Sequence, residues 1–279
     1  MARTRPDLAR LIALGTGVCA LAAVTMVVPA AADAPAPATP RSETGNATEW
    51  SYSGDTGPAY WGSLDPDWAL CADGSMQSPI DIVDPAPKPL KNPVFRYVKS
   101  TATVVDTGHT VEGVADDFVR PSFLRIGSEE FRLKQFHFHA PSEHTINGKS
   151  YPLELHFVHS DESGRIAVVG LFVKEGAPAG RAWRPFLRKL TSHVDEADDR
   201  QITALDWPAL LPQDKRTIRY SGSLTTPGCS EGVRWNLLTA TITMSSAQIA
   251  RFTREYEGNR RPLQPLNGRS VTIDATRGS

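Results

Sequence analysis

Cysteine is scarce in this chain: three occur in 279 residues, at positions 19, 71 and 229. None has a cysteine neighbour at the short spacing of a thiolate zinc site, which argues against a metal cluster of that kind. A bias of charge is also missing. The 30 basic and 31 acidic residues leave a formal net charge of -1. That balance offers no electrostatic handle for nucleic acid or for an acidic membrane surface. There is no internal repeat, no second long apolar run and no second linker. The economical reading is one soluble domain of ordinary composition.

The single apolar run lies at the start. Arg3, Arg5 and Arg10 precede a stretch from Leu11 to Val28, and Pro29 and the small residues Ala30, Ala31 and Ala32 follow. Charge, then apolar core, then small residues is the pattern of a secretory signal over residues 1–32, with cleavage after Ala32. The competing reading is a membrane anchor, but the run is near the shortest that spans and contains glycines and threonines. Cleavage leaves no membrane span and places the protein outside the cytoplasm: secreted, periplasmic or in the cell envelope. Residues 33–47, with Pro35, Pro37 and Pro40, read as a flexible tether. The folded domain is expected over 48–275. Cleavage removes Cys19, and the remaining pair, Cys71 and Cys229, is most simply a disulfide in an exported protein. Free thiols or metal ligation are the alternatives.

The domain reads as mainly β within the α+β class, a large, mainly antiparallel sheet with a few peripheral helices. TATVVDTG, PSFLRIG, FRLKQFHFHA, YPLELHFVHS and RIAVVGLFVKEG are short alternating or apolar segments bounded by turn residues. Asn147-Gly148 suits a hairpin turn. SSAQIARFTREYEG predicts a helix with a capping box at Ser245 and Gln248, an apolar face of Ile249, Phe252 and Tyr256, and a stop at Gly258. WRPFLRKLTSHV is a second helix candidate, with His193 on its surface.

Four of the seven histidines fall in two adjacent predicted strands. Alternation in the first puts Gln135, His137 and His139 on one face and Phe136 and Phe138 on the other. In the second, Glu154, His156 and Val158 share a face, and Leu155, Phe157 and His159 point away. If the strands pair, three imidazoles converge. Three neutral nitrogen ligands suit zinc and leave a fourth tetrahedral position for water, as a catalytic rather than a structural site requires. Gln135 and Glu154 each precede a ligand by two residues and can take its second ring N–H, fixing tautomer and orientation. A cupin is a competitor, since His137-x-His139 followed by Glu143 resembles a cupin metal motif. Against it, the next expected glycine is misplaced, and the last histidine sits on a neighbouring strand instead of a distant motif.

QSPIDI (Gln77 to Ile82), QFHFH, SEH (Ser142 to His144), ELHFVH, SLTTPG from Ser223 and RPLQPLNGR (Arg261 to Arg269) occur in an order and spacing that resemble the alpha-class carbonic anhydrases over nearly the whole predicted domain. The family's fold is a large twisted, mainly antiparallel sheet. The resemblance implies a lyase that reversibly hydrates carbon dioxide to bicarbonate through zinc-bound hydroxide, with one Zn2+ per chain on His137, His139 and His156. Gln135, Glu154 and the carbonyl of Asn259 would orient these ligands. Thr225, giving its hydroxyl proton to Glu143, would orient the nucleophile. Val158, Val168, Leu224, Val233 and Trp235 would form an apolar wall for the substrate, with Thr226 at the mouth. His109 would carry protons out, with Tyr52, Thr107 and Glu112 along the route. Glu112 would raise the pKa of His109 or tether its ring, and an exposed His109 would titrate near its usual value. Cys71 and Cys229 stand where exported relatives place a disulfide. His144 and His159 would be structural. A binding domain that keeps this scaffold without catalysis is the second functional reading. The partners implied are small molecules; no oligomeric state follows.

Overall fold

A computed structural model describes residues 48–116, 118–190 and 200–275. The signal and tether expected over 1–32 and 33–47, and His193, lie outside the described residues.

Strands dominate the chain. The short strands β1 (Asp81–Ile82), β2 (Ala86–Lys88) and β3 (Val94–Arg96) come first. β4 (Ser100–Asp106), β5 (Val111–Ala115), β6 (Phe123–Ile126) and β7 (Glu129–His139) follow. Next are β8 (Thr145–Ile146), β9 (Leu153–Ser160), β10 (Ile166–Glu175) and β11 (Gln201–Leu205). β12 (Thr217–Ser223), β13 (Glu231–Leu238), β14 (Ile242–Met244) and β15 (Thr272–Asp274) complete the set. One large mixed sheet runs in the order β11-β4-β5-β7-β9-β10-β13-β12-β15-β2, with β6 beside β7, β3 beside β6, and β14 beside β10. Most of its ladders are antiparallel; β10 with β13, β10 with β14 and β15 with β2 are parallel. β10, central and without a polar side chain from Ile166 to Val173, is buried on both faces from Ala167 to Val173.

β7 carries the decisive irregularity. Leu133 pairs with His159 and Gln135 with Val158, so the register shifts by one residue around Lys134. A strict alternation would put Phe131 and Leu133 on the same face as the histidines. The extra residue reverses the parity. Phe131, Leu133, Phe136 and Phe138 therefore all enter the large core, while Gln135, His137 and His139 share the opposite face. Two adjacent polar residues, Lys134-Gln135, stand at this bulge.

That core is aromatic. The Phe136 ring lies 4.6–5.7 Å, centroid to centroid, from Phe157, Trp183, Phe186 and Trp207. Gly113, opposite Phe136 in the ladder, makes room for it: a Cβ there would come within 2.4 Å of the Phe136 ring. A smaller apolar cluster on the other face includes Val168, Val233, Trp235 and Leu237, with Val158, Ile166 and Leu224 packed against it.

The helix Ser246–Tyr256 begins with the expected capping box between Ser245 and Gln248 and buries Ile249 and Phe252. Among the described residues, WRPFLRKLTSHV forms an α-helix over Arg184–Lys189; residues 191–199 lie outside the described range. Asn147 and Gly148, both at positive φ, turn a small hairpin closed by an Ile146–Lys149 bridge. That hairpin sits inside the connection between β7 and β9 and does not join the two directly. Cys71 and Cys229 form a disulfide across 158 residues of sequence. Among the described residues, no helix is long and apolar enough to cross a membrane.

Candidate metal centre

The ladders bring the histidines together. His137 pairs with His156 across β7 and β9, and His139 pairs with Glu154. One ligand atom from each of His137, His139 and His156 lies within 4.8 Å of the others.

Hydrogen bonds determine which nitrogen of each ring is bare. His139 Nδ1 is 2.6 Å from the carbonyl oxygen of Asn259. A carbonyl only accepts, so Nδ1 carries the proton and Nε2 is the lone pair. That Nε2 is buried without a hydrogen-bond partner. His156 Nε2 donates to Glu154 Oε1 at 2.8 Å, which leaves Nδ1 bare. His137 Nδ1 bonds Gln135 Oε1 at 2.8 Å, and Gln135 Nε2 donates to Glu112 Oε1 at 3.0 Å. The Glu112 carboxylate thus fixes the amide orientation, and the bare atom of His137 is Nε2. Three lone pairs on neighbouring rings, two of the rings buried and one lone pair orphaned, are the donor set that zinc takes. Burial, followed by the charges of His139 and His156, holds the His137 pKa well below the usual imidazole range. Burial also lowers His139. Both rings are therefore neutral and available as ligands.

The Glu154 carboxylate supports His156 from behind. Burial alone would raise the Glu154 carboxyl, but the charges of His144 and His156 and the bonds they make hold it well below the usual range. His144, Glu154 and His156 form a second cluster at metal-site distances. It is a hydrogen-bonded set, however, with His144 Nδ1 at 2.7 Å from Glu154 and His144 Nε2 at 2.5 Å from the Tyr220 hydroxyl. Glu143, 2% exposed, accepts the Arg261 backbone N–H on Oε1 at 2.8 Å. Its Oε2 has no hydrogen-bond partner and stands 3.5 Å from His139 Nε2. The bond expected from Thr225 to Glu143 is thus not made; the free oxygen is turned toward the imidazoles.

A cavity of about 370 Å3 opens on the three rings. Val158, Val168, Leu224 and Trp235 line it, as do Thr225, Thr226, Tyr52, Thr107, His109 and Glu112. Val233 departs from expectation: it is buried in the apolar cluster behind the wall, and Ile166 lines the cavity.

The proton-route residues differ most from the sequence reading. His109 is half-buried, not exposed. Its ring stacks on Trp50 at 3.7 Å and 12°, and burial lowers its pKa. Glu112 neither tethers His109 nor raises its pKa, because its carboxylate is held by Gln135; burial raises Glu112 itself. The Thr107 hydroxyl is committed to its own turn, donating to the Thr110 carbonyl at 2.9 Å. Burial, then the charge of Glu143, raises the Tyr52 phenol well above its ordinary range, so it stays protonated.

Three contributors escaped the sequence reading. Trp50 supplies the stack under His109. The Asn259 side chain donates to the His109 and Phe138 carbonyls and accepts from the Ala140 N–H, binding the His109 turn to the end of β7. Arg261, 2% exposed, donates to Gln77 Oε1, the Ser78 carbonyl and the Cys71 carbonyl. RPLQPLNGR marked Arg261 without giving it a role; the other two leave no periodic signal.

Comparison with known proteins agrees with this geometry. The sequence profile of the eukaryotic-type carbonic anhydrases matches residues 56–275. A carbonic anhydrase of Pectobacterium atrosepticum is 40% identical over 233 residues, covering 81% of this chain and 91% of the relative. The structure of an alpha-carbonic anhydrase from Thermovibrio ammonificans with the inhibitor sulfanilamide superposes with a TM-score of 0.74 at 40% identity, covering 81% of this chain and all of that one. Dioscorin complexed with ascorbate is also similar, with a TM-score of 0.74 at 31% identity, covering 83% of this chain and all of that one. The cupin alternative falls with the fold. The sheet, the histidine triad and a profile match over most of the length agree: this chain belongs to the eukaryotic-type, or alpha, carbonic anhydrase family, the lyases that hydrate carbon dioxide.

Proposed function

We propose that the chain reversibly hydrates carbon dioxide to bicarbonate with one zinc ion held by His137 Nε2, His139 Nε2 and His156 Nδ1. The observation that carries this reading is the orphaned, buried Nε2 of His139 between two equally bare ring nitrogens. When bound, zinc supplies a nucleophile at neutral pH by acidifying a coordinated water. Neutral imidazoles leave the ion its full positive charge for that purpose. Gln135, Glu154 and the Asn259 carbonyl hold the three rings in the ligating tautomer.

The other residues act on substrate and proton. Val158, Val168, Leu224 and Trp235 give uncharged carbon dioxide an apolar surface beside the ligands. Thr225 faces the same cavity, and the unpartnered Glu143 Oε2 would accept its hydroxyl proton. That bond would leave the threonine lone pair to orient the nucleophile. His109, neutral at pH 7 because burial lowers its pKa, takes a proton on a ring nitrogen and passes it to buffer. Tyr52 stays protonated and serves as a donor along that route.

Residues 1–32 and the Cys71–Cys229 disulfide support export to an oxidising space. Stopped-flow hydration of carbon dioxide before and after chelation tests the function. The reading predicts activity that chelation abolishes and zinc restores; an inert zinc-loaded protein would favour a binding role for the scaffold.

A further inference from the structure

We propose that Glu112 discriminates against anions at this centre, so that bicarbonate and small inorganic anions are held more weakly than they would be beside a neutral residue. The inference rests on the zinc-centre reading above. Its ground is the charge carried by the cavity wall. Among the described residues lining the cavity, Glu112 is the one Asp, Glu, Lys or Arg. The rest of the wall is aromatic, aliphatic, hydroxyl, amide or imidazole, with no lysine or arginine to receive an anion.

The position of this charge is fixed. Glu112 pairs with His137 across the β5–β7 ladder, one strand from the first ligand. Its Oε1 accepts the Gln135 amide at 3.0 Å, and Gln135 is bonded in turn to His137. That donor stabilises the ionised carboxylate and keeps it on the wall. The two other carboxylates near the ligands differ. Glu143 and Glu154 are 2% and 0% exposed and do not line the cavity, although Glu143 Oε2 stands 3.5 Å from His139 Nε2. Glu143 is bonded to the Arg261 backbone, and Glu154 to His144 and His156. Carbon dioxide has no net charge for Glu112 to repel, whereas bicarbonate and competing anions meet a like charge as they approach the ion.

The test is thiocyanate binding, read from the visible spectrum of the cobalt(II)-loaded protein at pH 8.5 and low ionic strength. Glu112→Gln keeps the shape and an oxygen for the Gln135 amide while removing the charge. Its Kd for thiocyanate should fall about two- to fivefold, the range given by a single partly exposed charge. The gap should close as ionic strength rises with a poorly coordinating salt. Glu112→Asp, which keeps the charge, should stay near the parent value. Equal Kd values for the parent and Glu112→Gln at low ionic strength overturn the inference alone. So does a gap that persists at high ionic strength, because it reports altered Gln135–His137 geometry in place of charge. A cobalt spectrum indifferent to thiocyanate in both proteins overturns the metal-centre reading and this inference with it.

Discussion

Each bare imidazole nitrogen of the triad owes its lone pair to a bond on the far side of its ring, and each bond comes from a different kind of acceptor. A backbone carbonyl serves His139, a carboxylate serves His156, and an amide steadied by a second carboxylate serves His137. The carboxylate and the amide were legible in the sequence, because a residue two places before a strand histidine shares its face. The Asn259 carbonyl followed only from family resemblance, since 120 residues separate it from His139. Trp50 was not legible at all, because stacking between a turn and a distant segment has no period. The stack carries a prediction for His109. His109→Ala should slow carbon dioxide hydration in weak buffer, and added imidazole should restore it. Indifference of the variant's rate to small buffers would remove His109 from the proton path.

Among the elements, β7 decides the outcome. Its eleven residues supply both the aromatic floor of the core and two of the three candidate ligands, and the bulge at Lys134 makes the two roles compatible. The face of the histidines could be read from QFHFH alone, since alternation is local. The bulge is set by the register against β9 and appears only in the paired sheet. β5 shows the same dependence on a partner: Gly113 looks like a weak point in a strand until Phe136 is placed opposite it. Gly113→Ala should therefore destabilise the fold by about 1–3 kcal/mol through overpacking, although alanine is otherwise tolerated in strands. Urea unfolding measures this directly. An unchanged midpoint would show that the Phe136 ring moves aside freely.

For the whole molecule, one sheet places the aromatic core on one face and the cavity on the other, and the antiparallel majority of its ladders was readable from strand pattern. The parallel pairing of β10 with β13 was not, because the chain between them holds several other elements. The core also imposes a pH dependence. His159 is fully buried, with Nδ1 donating to the Ala167 carbonyl at 3.1 Å and Nε2 at 2.5 Å from the Tyr97 hydroxyl. Burial lowers its pKa from 6.5 to about 4. Between those values the unfolded chain binds a proton that the folded chain refuses. Stability is therefore level above pH 6.5 and falls as pH drops toward 4, by up to about 3 kcal/mol from this ring. Urea unfolding of His159→Gln and the parent at pH 7 and pH 4.5 isolates the effect from that of the triad. The parent should lose more stability on acidification than the variant; equal losses would contradict the assignment.

The account rests on the triad holding one metal ion with one position open to solvent. Zinc-edge X-ray absorption on the zinc-loaded protein tests that claim most directly. The expected first shell is three imidazole nitrogens and one solvent oxygen at about 2.0–2.1 Å. A shell containing sulfur, or fewer than three imidazoles, would contradict it.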